Sequence, residues 1–229
     1  MKSFSILSGA ILWCVLLPAY SASGSAPQNE ATVPQSSIAT STPAATNQPA
    51  PIRSQGRKTD TDNLKAFATN GAKILDSKTG DLTGDGTTDA LLVLDPAING
   101  NEKLGEGLSR TVLLLTRDAA GQLQKTAQND KIVPCAQCGG ISGDPYSYSR
   151  IAKGEFTIVT EGGSREHWSN EYTFVYSREQ KDWLLHEVKR AVADQDTGKQ
   201  KSFDLMPKDF GVVQFKNFDP STLSTIELP

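Results

Sequence analysis

The sequence predicts a mainly β protein, an α+β chain with few short helices, in which a single domain rich in antiparallel sheet carries one Asp-rich loop in a strand connection. Three observations support this fold class. Short apolar runs such as residues 90–94 have the length of buried strands. Residues 171–176 alternate apolar and polar side chains, as a strand with one buried face does. Glycine, asparagine and aspartate separate these segments, which is typical of antiparallel sheets with short connections.

The N-terminus has the pattern of a secretory signal peptide over residues 1–22. Lys2 precedes an apolar run at 6–17, and small residues follow up to Ala22, where we expect cleavage. An uncleaved anchor is the alternative, but the run is shorter than the roughly 20 residues that a membrane-spanning helix needs. Cys14 follows Trp13 rather than a small residue, so the sequence does not predict a lipoprotein.

Residues 23–56 are rich in Ala, Pro, Ser, Thr and Gln and contain almost no large apolar residue. Such a segment cannot bury enough surface to offset the entropy lost on ordering, so we predict a disordered tether. Its prolines favour extended conformations, which suits a spacer across the cell envelope, and a passive tail left after export is the alternative. The remaining residues, 57–229, are numerous enough for one folded domain with a hydrophobic core.

The predicted domain begins with a short helix. Asp62 can cap a helix that runs to Ala68, and Asn70 followed by Gly71 is a typical C-terminal stop. Residues 73–76 then lead into the acidic loop.

Several strands are predicted beyond that loop. The apolar runs 90–94 and 110–116 indicate buried strands, and a Gly-containing turn at 119–121 leads to a third strand at 122–126. The alternating segment 155–160 indicates a strand with one buried face, as does the segment 171–176.

Residues 183–192 fit both a strand and a helix, because some of their apolar residues lie at helical spacing. We favour a strand, since a tight hairpin across the charged turn 178–182 is the simplest connection to the strand before it. Residues 207–210 are predicted to open a helical turn, with proline at its first position.

The loop within residues 80–96 is predicted to bind one calcium ion. Acidic residues recur at every fourth position with threonines between them, and Gly86 lies where the chain must turn sharply. Calcium takes about six to eight oxygen ligands and tolerates irregular geometry, so alternating side chains plus a backbone carbonyl suffice. An EF-hand is excluded, because its twelfth loop position needs an acidic residue and Leu92 stands there. The candidate metal ligands are Asp81, Thr83, Asp85, Asp89 and, through its carbonyl, Thr87.

The loop resembles the calcium-binding element of FG-GAP and VCBS repeats, D-x-[DN]-x-D-G-x-x-D. Thr83 departs from this pattern and replaces a stronger oxygen ligand. The resemblance implies a calcium ion bound between two strands. Propellers built from such repeats carry several copies in tandem, whereas this sequence contains one such loop. The matching positions are Asp81, Asp85, Gly86 and Asp89.

A broader resemblance, over about residues 73–215, is to a group of small exported bacterial proteins that carry one such loop. It rests on the motif NDKIVPCAQCGG, the GDP at 143–145 and the segment from GGS to WLLHEV. The resemblance implies a fold and an exported location, and it implies no reaction.

Once the signal peptide is removed, Cys135 and Cys138 are the remaining cysteines. In an oxidising compartment we expect them to form a disulfide, and the small loop that it closes limits the stabilisation to about 2 kcal/mol. A redox-active dithiol is an alternative, although the motif does not open a helix in a thioredoxin-like pattern. Zinc binding by the two cysteines is a third possibility, but His167 and His186 are too far apart in sequence to supply the usual second ligand pair.

Sequence signals for catalysis are few. His186 and Glu187 begin like a zinc-protease motif, but Arg190 stands where the second histidine is needed. The sequence contains neither a G-x-S-x-G elbow nor a phosphate-binding glycine loop with lysine.

A polar cleft around His167 is the remaining catalytic hypothesis. His167 lies beside Trp168 and near Glu161, Arg165 and Glu171, a set able to move a proton if the side chains converge. The alternative is that these are ordinary loop and strand-face residues with satisfied hydrogen bonds.

The net charge of the chain argues against a nucleic-acid partner. The chain has 23 Lys and Arg against 26 Asp and Glu, a net charge of −3, and loss of Lys2 with the signal peptide makes it more acidic. Nucleic-acid binding needs clustered positive charge, so we predict no nucleic-acid partner.

Together these features predict a periplasmic or secreted bacterial protein of the cell envelope, with no membrane span after signal-peptide cleavage. The calcium ion is expected to be structural, and the protein to be a non-enzymatic binding or accessory module for an unknown protein or envelope ligand. The alternatives are an envelope enzyme, either a hydrolase or a thiol oxidoreductase, and a β domain without a metal.

Overall fold

The computed structural model describes residues 64–97, 100, 102–224 and 228. All of them belong to one compact unit, residues 54–229. The predicted signal peptide (1–22), tether (23–56) and helix cap Asp62 lie outside the described residues. The prediction of a mainly β, antiparallel domain is confirmed.

The described residues form two antiparallel sheets, of four and five strands, in which neighbouring strands are consecutive in the chain. Most connections are therefore hairpins or short loops, as the Gly- and Asp-rich junctions predict, whereas longer segments join β2 to β3 and β4 to β5. The first sheet consists of β1 Lys73–Gly80, β2 Asp89–Asp95, β3 Arg110–Arg117 and β4 Leu123–Val133. The second sheet consists of β5 Tyr146–Ala152, β6 Glu155–Gly163, β7 Glu166–Ser177, β8 Asp182–Asp194 and β9 Gln200–Leu205.

The helical segments among the described residues are short. The predicted N-terminal helix is a single 3-10 turn that ends at Phe67, and Asn70 and Gly71 beyond it have positive φ angles of 56° and 76°. The helical turn predicted at 207–210 is α1, with Pro207 in its first turn. No helix in the described ranges has the length and apolar character needed to span a membrane. The helical segments are Lys65–Phe67, Gly140–Ser142, α1 Pro207–Phe210, Phe215–Asn217 and Pro220–Thr222.

The segment 183–192, which also fitted a helix, lies within β8, so the strand prediction is correct. It pairs with β7 in register from Trp183 opposite Tyr176 to Asp194 opposite Glu166. The predicted strands are longer in the structure, above all β4, which continues to Val133, and β7, which begins at Glu166.

The two sheets pack face to face around one large hydrophobic cluster. Leu91 and Leu114 of the first sheet lie in it with Phe156, Phe174 and Trp183 of the second, and none of these five side chains has more than 1% exposure. Alternate residues of β2 and β3 form a second cluster on the other face of the first sheet. That cluster is covered by the N-terminal turn and consists of Leu64, Ala90, Leu92, Leu94, Leu113 and Leu115, with Phe67 packed against it.

Candidate metal centre

The acidic loop, residues 81–88, joins β1 to β2 and is anchored on the second sheet. Leu82 is fully buried in the cluster between the sheets, and its carbonyl accepts a hydrogen bond of 2.8 Å from Trp183 Nε1. An apolar residue in the middle of an acidic loop thus becomes an anchor, because burial of a leucine side chain contributes about 1.5–3 kcal/mol.

Two further hydrogen bonds connect the loop to turns of the second sheet. The carbonyl of Asp81 accepts a bond of 2.8 Å from the N–H of Gly154, between β5 and β6. The carbonyl of Gly84 accepts a bond of 3.0 Å from Arg178 Nη2, between β7 and β8. Anything that orders this loop therefore stabilises the contact between the two sheets.

Asp81 organises the turn of the loop. Its Oδ1 accepts hydrogen bonds from the N–H groups of Gly84 at 2.7 Å and Asp85 at 3.0 Å, and its Oδ2 accepts one from Gly86 at 2.9 Å. Gly84 and Gly86 have φ angles of 75° and 91°, a region that favours glycine. The sharp turn predicted at Gly86 is present.

Asp85 and Thr87 form a second hydrogen-bonded pair. Asp85 Oδ1 accepts a bond of 2.7 Å from the Thr87 N–H. The side chain and N–H of Thr87 lower the pKa of the exposed Asp85 carboxyl below its ordinary value. The contacts that the structure records for Thr87 are made by these groups, whereas the prediction assigned it a role through its carbonyl.

Asp89 is the buried carboxylate of the loop. It begins β2 with 2% exposure, and its two oxygens accept hydrogen bonds from the N–H groups of Leu82 at 3.2 Å and Arg117 at 3.1 Å. Burial raises the pKa of Asp89, and the charges of Asp85 and Asp81 act in the same direction. Both Asp81 and Asp85 are therefore close enough to disfavour the ionised form of Asp89.

Thr83 contributes a hydroxyl that is buried without a hydrogen-bond partner in the structure. The hydroxyl lies near enough to Asp85 to lower its pKa slightly, but it makes no hydrogen bond of ordinary geometry with it. A buried hydroxyl without a partner costs about 1–3 kcal/mol, so a ligand that it could coordinate would remove that cost.

The donor chemistry fits a hard cation, but the ligand set is not assembled into one cluster. In the part of the chain that the structure describes, no three His, Cys, Asp or Glu side chains form a group that could hold a metal ion. Asp81, Asp85 and Asp89 instead bind backbone N–H groups. An ionised carboxylate has about four lone-pair sites, so these bonds leave acceptor capacity on each residue.

Cys135 and Cys138 form a disulfide with an S–S distance of 2.06 Å, which confirms the predicted pairing. The bridge lies against the segment 102–109 that precedes β3. The N–H of Gly105 donates a hydrogen bond of 2.7 Å to the Gln137 carbonyl, and a Cβ at Gly107 would come within 3.1 Å of the Cys135 Cβ. The bridge thus fastens a long connection to the end of β4.

The residues of the proposed polar cleft do not converge. His167 and Glu171 lie on the same strand, four residues and so about 13 Å apart. Glu171 binds Arg150, and Arg165 binds Asp194 at 3.3 Å. Glu161 accepts a hydrogen bond of 3.2 Å from Ser147 Oγ. Each charged side chain thus has its own partner on the surface of the second sheet.

Sequence reasoning missed a buried ion network around Arg110. The Arg110 side chain is 1% exposed, and it binds Asp95 through Nε and Asp144 through both terminal nitrogens, each at 2.6 Å. Burial lowers the pKa of Arg110, but Asp144 and Asp95 together raise it above its ordinary value. No local sequence signal could reveal this network, because 34 residues separate Arg110 from Asp144.

Comparison of the chain with protein-family models, with curated proteins and with solved structures finds no match in any of the three. The resemblance to FG-GAP and VCBS loops therefore rests on residues 81–89.

Proposed function

We propose that the chain is an exported bacterial envelope protein whose β domain is stabilised by one calcium ion in the 81–89 loop, and that it acts as a binding or accessory module. The observation that carries the proposal is the buried carboxylate of Asp89. Burial and the neighbouring charges of Asp85 and Asp81 both raise its pKa, so its ionised form is unfavourable without a positive charge nearby. A divalent cation would supply that charge.

Five residues would hold the ion. The carboxylates of Asp81, Asp85 and Asp89 supply charged oxygens, while the Thr83 hydroxyl and the Thr87 carbonyl supply neutral ones. Calcium suits such a mixed set, because it accepts irregular oxygen coordination. The buried Thr83 hydroxyl, which has no hydrogen-bond partner in the structure, would coordinate the ion through its oxygen.

The proposed role of the ion is to hold the two sheets together. The loop belongs to the first sheet, whereas its hydrogen bonds from Gly154, Arg178 and Trp183 come from the second. Extracellular calcium modules have dissociation constants of roughly 10⁻⁴ to 10⁻³ M. Calcium at about ten times that constant would add about 1.4 kcal/mol to the free energy of unfolding.

Thermal unfolding with calcium and with a chelator tests this role. A gain of about 1.4 kcal/mol corresponds to an increase in Tm of about 3–6 °C for a domain of this size. Magnesium should give a smaller increase, because it demands nearly octahedral geometry. Equal melting temperatures with calcium and with chelator would contradict the proposal.

Asp85→Asn and Asp118→Asn form a matched pair of variants for this test. Asp118 also holds a turn by accepting backbone N–H bonds, from Ala120 and Gln122 at 2.9 Å each, but it lies between β3 and β4. We expect Asp85→Asn to lose most of the calcium response and Asp118→Asn to keep it. A similar response in both variants would count against the 81–89 site.

A metal-free loop is the second candidate. It is favoured by the hydrogen bonds that Asp81, Asp85 and Asp89 already make to the backbone, which satisfy a turn without an ion. In that case the three aspartates would organise the hairpin alone, and calcium would leave the Tm of the parent protein unchanged.

The export part of the proposal rests on the N-terminal sequence and on the disulfide, since disulfides persist in oxidising compartments. N-terminal sequencing of the protein recovered from the envelope or the medium should find a chain that begins near Ser23. Recovery of an intact chain from the cytoplasm would contradict export.

A further inference from the structure

A cavity of about 420 Å³ lies between β8, β9 and the segment that follows α1. Its volume is at the small end of the range for ligand pockets, about 300–1,000 Å³. The cavity wall is mainly aromatic and aliphatic. Its apolar lining includes Leu185, Phe203, Leu205, Phe210, Phe218 and Leu223.

Arg190 of β8 brings a positive charge into this apolar wall. The half-buried guanidinium donates through Nε to Asn170 Oδ1 at 2.8 Å and through Nη1 to the Ser224 carbonyl. Both acceptors are neutral, and no described carboxylate forms an ion pair with Arg190. Because a guanidinium has five N–H donors, several remain for a ligand.

The carboxylates at the cavity are already engaged with protein donors. Asp209 accepts a hydrogen bond of 2.9 Å from the Met206 N–H. Asp219 forms an ion pair of 2.9 Å with Lys131, and hydrogen bonds from Ser221 together with Lys131 lower the pKa of Asp219 to about 2. Asp219 is therefore paired with a cation, whereas the contacts recorded for Asp209 and for Arg190 are to neutral groups.

A second cation lies beside the aromatic wall. The Nζ atom of Lys201 is 5.1 Å from the centroid of the Phe203 ring. Lys201 is not part of the cavity wall, so Arg190 is the basic residue that could favour an anion with an apolar body there.

We propose that this cavity binds a small carboxylic acid with an apolar body, of the size of a medium-chain fatty acid. Its carboxylate binds Arg190, because guanidinium and carboxylate form paired, charge-assisted hydrogen bonds. Its hydrocarbon part packs against Phe203, Leu205 and Leu223. This ligand site is separate from the acidic loop and does not depend on calcium.

Calorimetric titration of the full chain with octanoate tests the site, with octanol and acetate as comparison ligands. We expect saturable binding of octanoate. Octanol lacks the charge and acetate lacks the apolar body, so each should bind at least about tenfold more weakly. Absence of saturable octanoate binding, or equal affinity for octanol, would overturn the proposal.

Variants test the charged part and the apolar part of the proposed site separately. Arg190→Gln should weaken octanoate binding about tenfold and leave octanol binding unchanged, whereas Phe203→Ala should weaken both. Arg150→Gln is the matched control, because Arg150 binds Glu171 on the other face of the same sheet and should leave both affinities unchanged. Unchanged octanoate affinity in Arg190→Gln would overturn the proposal.

Melting curves establish that each variant is folded before titration. If Arg190→Gln does not fold, the proposal is tested with Phe203→Ala. We expect that variant to fold, because Phe203 is 40% exposed and not part of the central cluster. Unchanged octanoate affinity in a folded Phe203→Ala variant would also overturn the proposal.

Discussion

The two sheets differ in how many of their faces are covered. The central strands of the first sheet, β2 and β3, are buried on both faces, by the second sheet on one side and by the N-terminal turn on the other. The second sheet has its apolar side chains on one face, while the other face carries charged residues such as Arg150, Glu171 and Lys189. The same antiparallel architecture thus allows one sheet to form the centre of the domain and the other to present a polar surface.

The largest expected effect is on the free energy of unfolding, when a substitution of a buried leucine in the first sheet is compared with one of a surface residue in the second. Leu92 is fully buried in the cluster under the N-terminal turn. Leu92→Ala should lower the free energy of unfolding by about 2–5 kcal/mol, because it removes apolar contacts and leaves a cavity. Lys189→Ala is the matched change and should cost less than about 0.5 kcal/mol. Urea unfolding measures both, and similar losses would contradict the comparison.

A smaller effect is expected from the ion pairs of the two sheets. Arg110 in the first sheet is buried and binds Asp144 through two hydrogen bonds, whereas Arg150 in the second sheet is half exposed and binds Glu171. Asp144→Asn should cost about 1.5–3 kcal/mol, since it weakens charge-assisted bonds to a buried guanidinium. Glu171→Gln should cost at most about 1 kcal/mol. Chemical denaturation of the two variants distinguishes these values, and a larger loss in Glu171→Gln would reverse the argument.

The difference between the sheets also explains which strands could be predicted. Burial on both faces makes a strand a continuous apolar run, so the predictions 90–94 and 110–116 nearly coincide with β2 and β3. Strand β5 was missed because its inward residues are partly polar. Ser149 and Tyr146 form hydrogen bonds with Asp76 of β1, and the Tyr146 side chain also packs against the central cluster.

Strand β9 was missed for a related reason. It is the last strand of the second sheet, and most of its residues are exposed, so its sequence QKSFDL shows no apolar periodicity. Edge strands often carry charged side chains, which protect them from pairing with other chains. Such a strand has the composition of a loop.

The candidate sites also differ in whether the sequence reveals them. The acidic loop could be recognised because its candidate ligands lie within nine consecutive residues and the turn that they form is local. The partners of Arg110 and the cavity around Arg190 depend on contacts between distant segments, so spacing in the sequence gives no signal for them. Glu161, His167 and Glu171 show the opposite case: their proximity in sequence allowed the hypothesis of a polar cleft, but Glu161 and Glu171 have separate partners in Ser147 and Arg150.

The smallest expected effect concerns the acidic loop between β1 and β2, which contacts the second sheet. Because burial raises the pKa of Asp89, its ionised form opposes folding in the calcium-free protein. That opposition is absent below the usual pKa of 3.8 and increases as the pH rises through the higher pKa of the folded state. Protons therefore compete with calcium for Asp89 at a higher pH than they would at an ordinary aspartate.

We accordingly expect the increase in Tm caused by calcium to be largest near pH 7 and to disappear as the pH approaches 4. Melting curves with calcium and with chelator across this range measure the difference. Asp118→Asn should leave the pH dependence of the calcium effect unchanged, because that turn lies outside the loop. A calcium effect that stays constant down to pH 4 would contradict the proposal that the ion binds the buried carboxylate of Asp89.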